Sequence, residues 1–292
     1  MKALHITVLV ENTARGQGLL AEHGLALWIE VGGKRTLFDC GQSGLLRHNA
    51  GHLGINLGTT DAVVLSHGHY DHSGGLTAFP LSEGSRRAAV CAADRDGVAP
   101  LRVYAAPEAL TDKYARNADG TAREIGMPSY ARETLPRATN LTLTDGPTEV
   151  GEGVSVTGPI PRTTDFEDTG GCFFRDAACQ HPDHLTDDQA AFIETPSGVV
   201  VVLGCAHAGV VNTLQYVKTL VGPRSIHAVV GGMHLGSATE ERLDRTVAAL
   251  READAPLLYP LHCTGFKATA RLWREFPGRV FVCPVGTRLA FG

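Results

Sequence analysis

The chain is 292 residues long, 43% hydrophobic and 20% charged, with a formal net charge of -5. That composition is ordinary for a soluble globular protein, the length allows a substantial core, and the charge gives no basic footprint, so nucleic acid is not the expected partner. No apolar run reaches the length that spans a bilayer, and the opening MKALHITVLVEN lacks the apolar core and cleavage site of a signal peptide, so a cytoplasmic location is expected. Seven cysteines without regular spacing do not read as a disulfide framework.

In chain order, ALHITVLV at 3–10 is β-branched and apolar enough for a strand, with His5 as a packed or edge residue. A second strand at 25–31 turns through Gly32-Gly33 into a third at 35–38, a hairpin start that suits a sheet-on-sheet core. The spacing at 44–57 predicts a helix and turn, and the apolar run 63–65 a buried strand. Beyond Leu76, short strands are expected at 88–92 and 101–105 and a helix at 107–114, whose first turn tolerates proline. No period is sustained from 117 to 136, so the region within 82–186 reads as an insertion, lid or substrate loop in a single domain covering 1–292. Strands are predicted at 140–144 and 154–157, followed by a polar loop at 163–185. The pattern then becomes regular: strands at 190–194 and 199–203, an amphipathic helix at 209–220, a strand at 225–230, a charged helix at 239–253 and a strand at 257–261. Alternating strands and helices with chemistry at the strand ends implies a layered α/β sandwich with ligands along one edge.

The stretch Ser66-His67-Gly68-His69-Tyr70-Asp71-His72 carries that chemistry. His67 and His69 are two apart, so in an extended segment they face one way and suit one ion, while Asp71 and His72 follow at a turn and face a second. Imidazole nitrogen and carboxylate oxygen are the donors that zinc favours, and iron and manganese accept the same set. Gly68, Gly74 and Gly75 allow the tight path that such crowding needs. His207 and His262 end later strands, giving six metal-ligand candidates that divide into His67, His69 and His207 around one ion and Asp71, His72 and His262 around the other. Two ions about 3.5 to 4 Å apart share a bridging water. Asp39, at a strand end, is expected to orient a ligand histidine. His234 also ends a strand and reads as a ligand or catalytic acid, or else as a substrate-pocket residue. Cys172, Cys179, His181 and His184 have the types for a separate zinc site, but their spacing matches no common pattern and the loop reading is preferred. Cys205 and Cys263 read as packing residues, and His48, His52 and His227 as structural or solvated.

SHGHYDHSGGL resembles the H-x-H-x-D-H signature of the metallo-β-lactamase-fold superfamily. Leu37-Phe38-Asp39-Cys40-Gly41 resembles its preceding strand and Asp-x-Gly turn. Gly204-Cys205-Ala206-His207, Gly231-Gly232-Met233-His234-Leu235 and His262-Cys263-Thr264-Gly265 resemble blocks of the branch identified as dihydropteroate-synthase-related or ribofuranosylaminobenzene 5'-phosphate synthase-like. The resemblance implies a four-layer αβ/βα sandwich holding two zinc ions, with iron or manganese as alternatives. His23 matches the branch's Glu-His-Gly block and is a candidate substrate contact, weighed against a surface or structural role. Arg162 falls where many members carry another ligand histidine, and its planar fork suits a substrate phosphate or carboxylate. Many members also carry an aspartate that bridges both ions after the strand that here ends in His207. No obvious carboxylate stands there, and Asp188 is the candidate substitute, weighed against a turn or capping role. The expected activity is hydrolysis of an ester, lactone, amide or phosphoester bond in a small molecule, with Asp71 and His234 as catalytic residues and water made acidic by the ions, its pKa falling from ~15.7 towards ~7. The alternatives are phosphoribosyl transfer of the synthase type and a metal-bearing sensor or ligand-binding protein with little turnover.

Overall fold

The structure is a computed structural model that describes residues 3–79, 100–254 and 257–292. Two main sheets form from the apolar, β-branched runs. The first has seven strands in the order Arg288–Phe291, Leu4–Val10, Ala26–Val31, Lys34–Phe38, Ala62–Val64, Arg102–Ala105 and Asn140–Leu143. The second has six, in the order Leu257–Leu261, Ile226–Gly232, Gly198–Leu203, Ala191–Thr195, Val154–Val156 and Thr148–Gly151.

Strand alternation divides the core into three slabs. Val200 and Val202 point between the sheets, where they meet Val230, Ile193 and the inward residues Ile6, Leu27, Phe38 and Val64 of the first sheet. Their neighbours Val199, Val201 and Leu203 point outwards onto the helices Val210–Val221, Glu240–Glu252 and Phe266–Glu275. On the far side Leu37, Val63 and Trp28 pack under the helices Leu45–His52 and Ser129–Ala138. The result is helix, sheet, sheet, helix: the four-layer sandwich that the sequence predicts.

Parallel pairing sets the position of the site. Ala62–Val64 lies parallel to both neighbours, and Gly198–Leu203, Ile226–Gly232 and Leu257–Leu261 run parallel to one another. Their C-terminal ends therefore share a rim, where chains leaving a parallel sheet converge.

Several elements differ from the sequence reading. The helix expected at 107–114 is a short 3-10 turn, Pro107–Leu110, followed by the strand Tyr114–Arg116; the turn ends early because Lys113 runs inward to buried carboxylates. Within the stretch without sustained period lies a ten-residue helix, Ser129–Ala138, whose Ala131 and Leu135 face the core at helical spacing. Its Pro136 sits in the last turn, where little of the helix remains to be broken. The strand expected at 88–92 lies outside the described residues. A small sheet of Phe173–Phe174, Tyr114–Arg116 and Ala122–Glu124 occupies part of the expected insertion. Among the described residues no helix is long and apolar enough to cross a membrane.

Candidate metal centre

After Leu65 the chain passes through the buried Ser66 and His67, bridges from His69 to Gly126, and closes in a single helical turn, Tyr70–Ser73. Two glycines then bring this loop onto the preceding strand end. A Cβ on Gly75 would lie 1.9 Å from the Cys40 carbonyl oxygen, and one on Gly74 2.2 Å from that of Gln42, so only glycine allows the approach. The rim is also where L-residues adopt left-handed backbone: Asp39, Ala206, His234 and His262 have φ of 58°, 53°, 46° and 49°. Strain of this kind persists where the surrounding fold must aim a side chain.

Two groups of donors face each other across this rim. In one, the rings of His67, His69 and His207 lie pairwise 4.6 to 4.9 Å apart between centroids, and His67 Nε2 is 3.0 Å from His69 Nδ1. In the other, Asp71 Oδ2 lies 3.3 Å from His262 Nε2 and 3.9 Å from His72 Nε2, and those two nitrogens are 3.3 Å apart. Two nitrogens bound to one tetrahedral ion at ~2.0 to 2.1 Å stand about 3.3 Å from each other. Such spacing fits a shared cation.

Ring orientation supports the same fit. His72 Nδ1–H donates to Asp39 Oδ2 at 2.6 Å, His207 Nδ1–H to the Thr169 carbonyl at 2.8 Å, and His262 Nδ1–H to Asn12 Oδ1 at 2.8 Å. With Nδ1 committed as donor, each Nε2 is left with a lone pair pointing into the rim. His207 Nε2 and His69 Nε2 are buried and have no hydrogen-bond partner, a costly arrangement for polar atoms that a ligand would relieve. Asp39 is itself fixed: its Oδ1 accepts the Ser66 N–H and its Oδ2 the Ser66 hydroxyl, both at 2.7 Å.

The charges agree with this arrangement. Burial holds His67 and His207 well below the ordinary imidazole range and pushes His69 down to about 3, so all three are neutral donors. Burial opposes ionisation of Asp71, but His72, His23 and His262 around it hold its carboxyl well below the usual range. His72 is also buried, yet flanking Asp39 and Asp71 push it up to about 9. Without a cation these carboxylates therefore hold a proton on the ring, which must leave before His72 Nε2 can serve as a ligand.

The remaining predicted residues separate. His23 joins the second group, with Nε2 3.1 Å from Asp71 Oδ2 and its ring 4.7 Å from that of His262. His234 lies over His207 at 4.3 Å between centroids, and its Nδ1 is buried without a partner. Arg162 stays apart: its guanidinium is on an exposed residue and donates to the His184 carbonyl at 2.8 Å. Asp188 does not take the place of the missing bridge. Its Oδ2 accepts the Ala208 N–H at 2.6 Å, bracing the backbone beside His207, and burial pushes its carboxyl up to about 7. Among the described residues Cys172, Cys179, His181 and His184 form no group of converging donors.

Other parts of the site were not apparent from the sequence. Glu11 Oε1 accepts the His262 N–H at 3.0 Å, and its neighbour Asn12 orients the same ring; two polar side chains ending a strand on this rim were the available signal. Phe173 lies against both His69 and His207, tilted to the first and edge-on to the second, at 5.3 and 5.5 Å between centroids. Beneath the loop, Lys113 Nζ donates to Asp183 Oδ2 and Asp187 Oδ1, both at 3.0 Å, and Asp187 Oδ2 accepts the Gly68 N–H at 2.7 Å. All three of these side chains are almost fully buried.

Comparison with known proteins agrees with this geometry. A model of the metallo-beta-lactamase superfamily matches residues 20–211. An uncharacterized protein of Methanocaldococcus jannaschii is 32% identical over 268 residues, 91% of this chain and 93% of its own length. From the same organism, a protein named 7,8-dihydropterin-6-methyl-4-(beta-D-ribofuranosyl)-aminobenzene-5'-phosphate synthase is 28% identical over 270 residues, covering 88% of this chain and 85% of that one. The crystal structure of a metal-dependent hydrolase of the beta-lactamase superfamily superimposes with a TM-score of 0.79 at 29% identity, covering 98% of each chain.

Proposed function

Because the chain belongs to the metallo-beta-lactamase superfamily, whose fold implies a bound metal ion, we propose that it is a metal-dependent hydrolase of a small-molecule ester, lactone, amide or phosphoester. The observation that carries this reading is the pair of donor groups with inward Nε2 lone pairs at the shared strand rim. In the proposal His67, His69 and His207 hold one cation and Asp71, His72 and His262 a second, with zinc as the metal that this imidazole-rich set suits best. Bound cations supply Lewis acidity and make water acidic enough to react at neutral pH. The chain's own residues do the rest. Asp39, Asn12 and the Thr169 carbonyl hold three imidazoles in the binding tautomer. Asp71 adds a carboxylate to its group, and His23 steadies that carboxylate from the solvent side. His234, over His207 and with a free Nδ1, is positioned to move a proton to or from the leaving group. Phe173 walls the first group and limits access of bulk water.

Metal analysis of the purified protein, joined to an ester, lactone and phosphodiester panel before and after chelation, tests the reading. Hydrolysis lost on chelation and restored by Zn2+ is expected; bound metal with no turnover on any substrate class would refute it. A second reading, phosphoribosyl transfer, is favoured by the resemblance to the M. jannaschii synthase, and release of pyrophosphate from a phosphoribosyl donor would select it.

A further inference from the structure

The sequence offers no obvious carboxylate to bridge two cations: Asp188 Oδ2 accepts the Ala208 N–H, and among the described residues Asp188 belongs to none of the converging donor groups. One other side chain is common to both donor groups. Cys205 Sγ lies within 4.8 Å of the donor atoms of His67 and His207, and within the same distance of those of His72 and His262. On the second side its sulfur is 3.1 Å from His72 Nε2, the nitrogen left as an acceptor once Nδ1 donates to Asp39. On the first side it lies near His207, whose buried Nε2 has no hydrogen bond. The rings of His67 and His72 are 4.3 Å apart between centroids, so the two groups are adjacent and the sulfur sits at their junction.

The local backbone builds this position. Gly204 must be glycine, since a Cβ there would lie 1.9 Å from Ser66 Oγ; its absence lets the end of the Gly198–Leu203 strand close onto the loop that carries His67. Ala206, at a φ of 53°, then turns the chain so that Cys205 and His207 both reach the rim.

We infer that Cys205 is the bridging ligand, a thiolate shared by the two cations in place of the carboxylate. On binding, the S–H bond breaks, its electron pair stays on sulfur for donation to the cations, and the proton leaves to solvent. Thiolate is a soft donor, so the shared position favours zinc over manganese.

This inference rests on the two-cation reading above, and its test separates the two. The probe is Co2+ loaded into the full-length protein, followed by metal counting and near-ultraviolet absorption. The wild type is expected to take up about two Co2+ and to show a sulfur-to-cobalt charge-transfer band. Cys205→Ser is expected to lose the band, Cys205→Ala to fall to about one Co2+ per chain, and Cys205→Asp to keep both ions without the band. Cys263→Ser, at the neighbouring thiol, is expected to leave the band intact. Two ions bound without the band, or a band that survives Cys205→Ser and vanishes in Cys263→Ser, would overturn the inference while leaving the metal site standing. No uptake of Co2+ would overturn the metal site and the inference together. Should the Cys205 variants not fold, cobalt-edge X-ray absorption on the Cys263→Ser protein decides the matter: sulfur in the coordination sphere supports the bridge, and its absence refutes it.

Discussion

Replacing Lys113 by Met tests whether the ion triad under the histidine loop acts as a strut. The substitution keeps the length and apolar stem of the side chain but removes the ammonium that Asp183 and Asp187 share at 3.0 Å. Deleting one partner of a buried ion pair leaves an uncompensated charge and costs about 3–5 kcal/mol, a fall in Tm of roughly 6–20 °C. The pH dependence carries a sign. Burial alone would raise Asp183, but Lys113 and the Leu185 N–H outweigh it and hold the carboxyl below its usual range. The stability it contributes is therefore complete above the unfolded value of about 3.9 and disappears as pH falls through the lower folded value. In the Lys113→Met protein the burial of Asp183 is no longer opposed by the ammonium and favours its protonated form, so the Tm deficit is greatest near neutrality and narrows towards about pH 5. Scanning calorimetry between these limits reads both effects, and metal content measured on the same samples is expected to fall because Asp187 holds the Gly68 N–H between His67 and His69. A Tm change of about 2 °C or less, the size of an ordinary surface substitution, would refute the argument.

Replacing His67 and His69 together by Ala is expected to strip metal from the protein, with full retention by elemental analysis excluding them as ligands. His207→Ala is expected to lower metal stoichiometry, and unchanged stoichiometry and activity would show the three-plus-three division to be wrong. Asp39→Asn keeps the shape but weakens the hold on His72 Nδ1, and a loss of about 10- to 100-fold in metal affinity is expected from competition with a chromophoric chelator. Glu167→Ala removes the carboxylate that accepts the Val211 and Asn212 N–H groups at 2.9 and 2.8 Å; uncapping the Val210–Val221 helix is expected to cost about 1–2 kcal/mol in denaturant unfolding.

Much of the framework could be read directly from the sequence. The runs around Val63 and Val199 are apolar throughout, which marks strands buried on both faces, and histidines placed straight after such strands converge because parallel strands end together. Donor atoms that belong to backbone carried no such signal. Thr169 orients His207 through its carbonyl, a group every residue has, so nothing in its identity betrays the role. Lys113 looked like one more charge in a polar segment, because burial of an ammonium depends on two aspartates some 70 residues away. In the sequence alone Cys205 reads as a packing residue, on the ordinary behaviour of buried thiols; its place at the junction of two histidine groups appears only when three strand ends are brought to one rim. The Ser129–Ala138 helix escaped notice because Pro136 masks its period.

The segment that carries Thr169 and Phe173 has consequences for divergence. A loop that walls a substrate pocket is usually free to vary, since its sequence answers only to the molecule it contacts. Here the same few residues also fix the tautomer of a donor imidazole. Under the proposed metal site, selection for a new substrate through this loop would act on metal retention at the same time, and variants that widen the pocket by moving Thr169 would trade scope for loss of the ion. Directed evolution should find its tolerated changes at side chains such as Phe173, with the backbone path through 169 preserved.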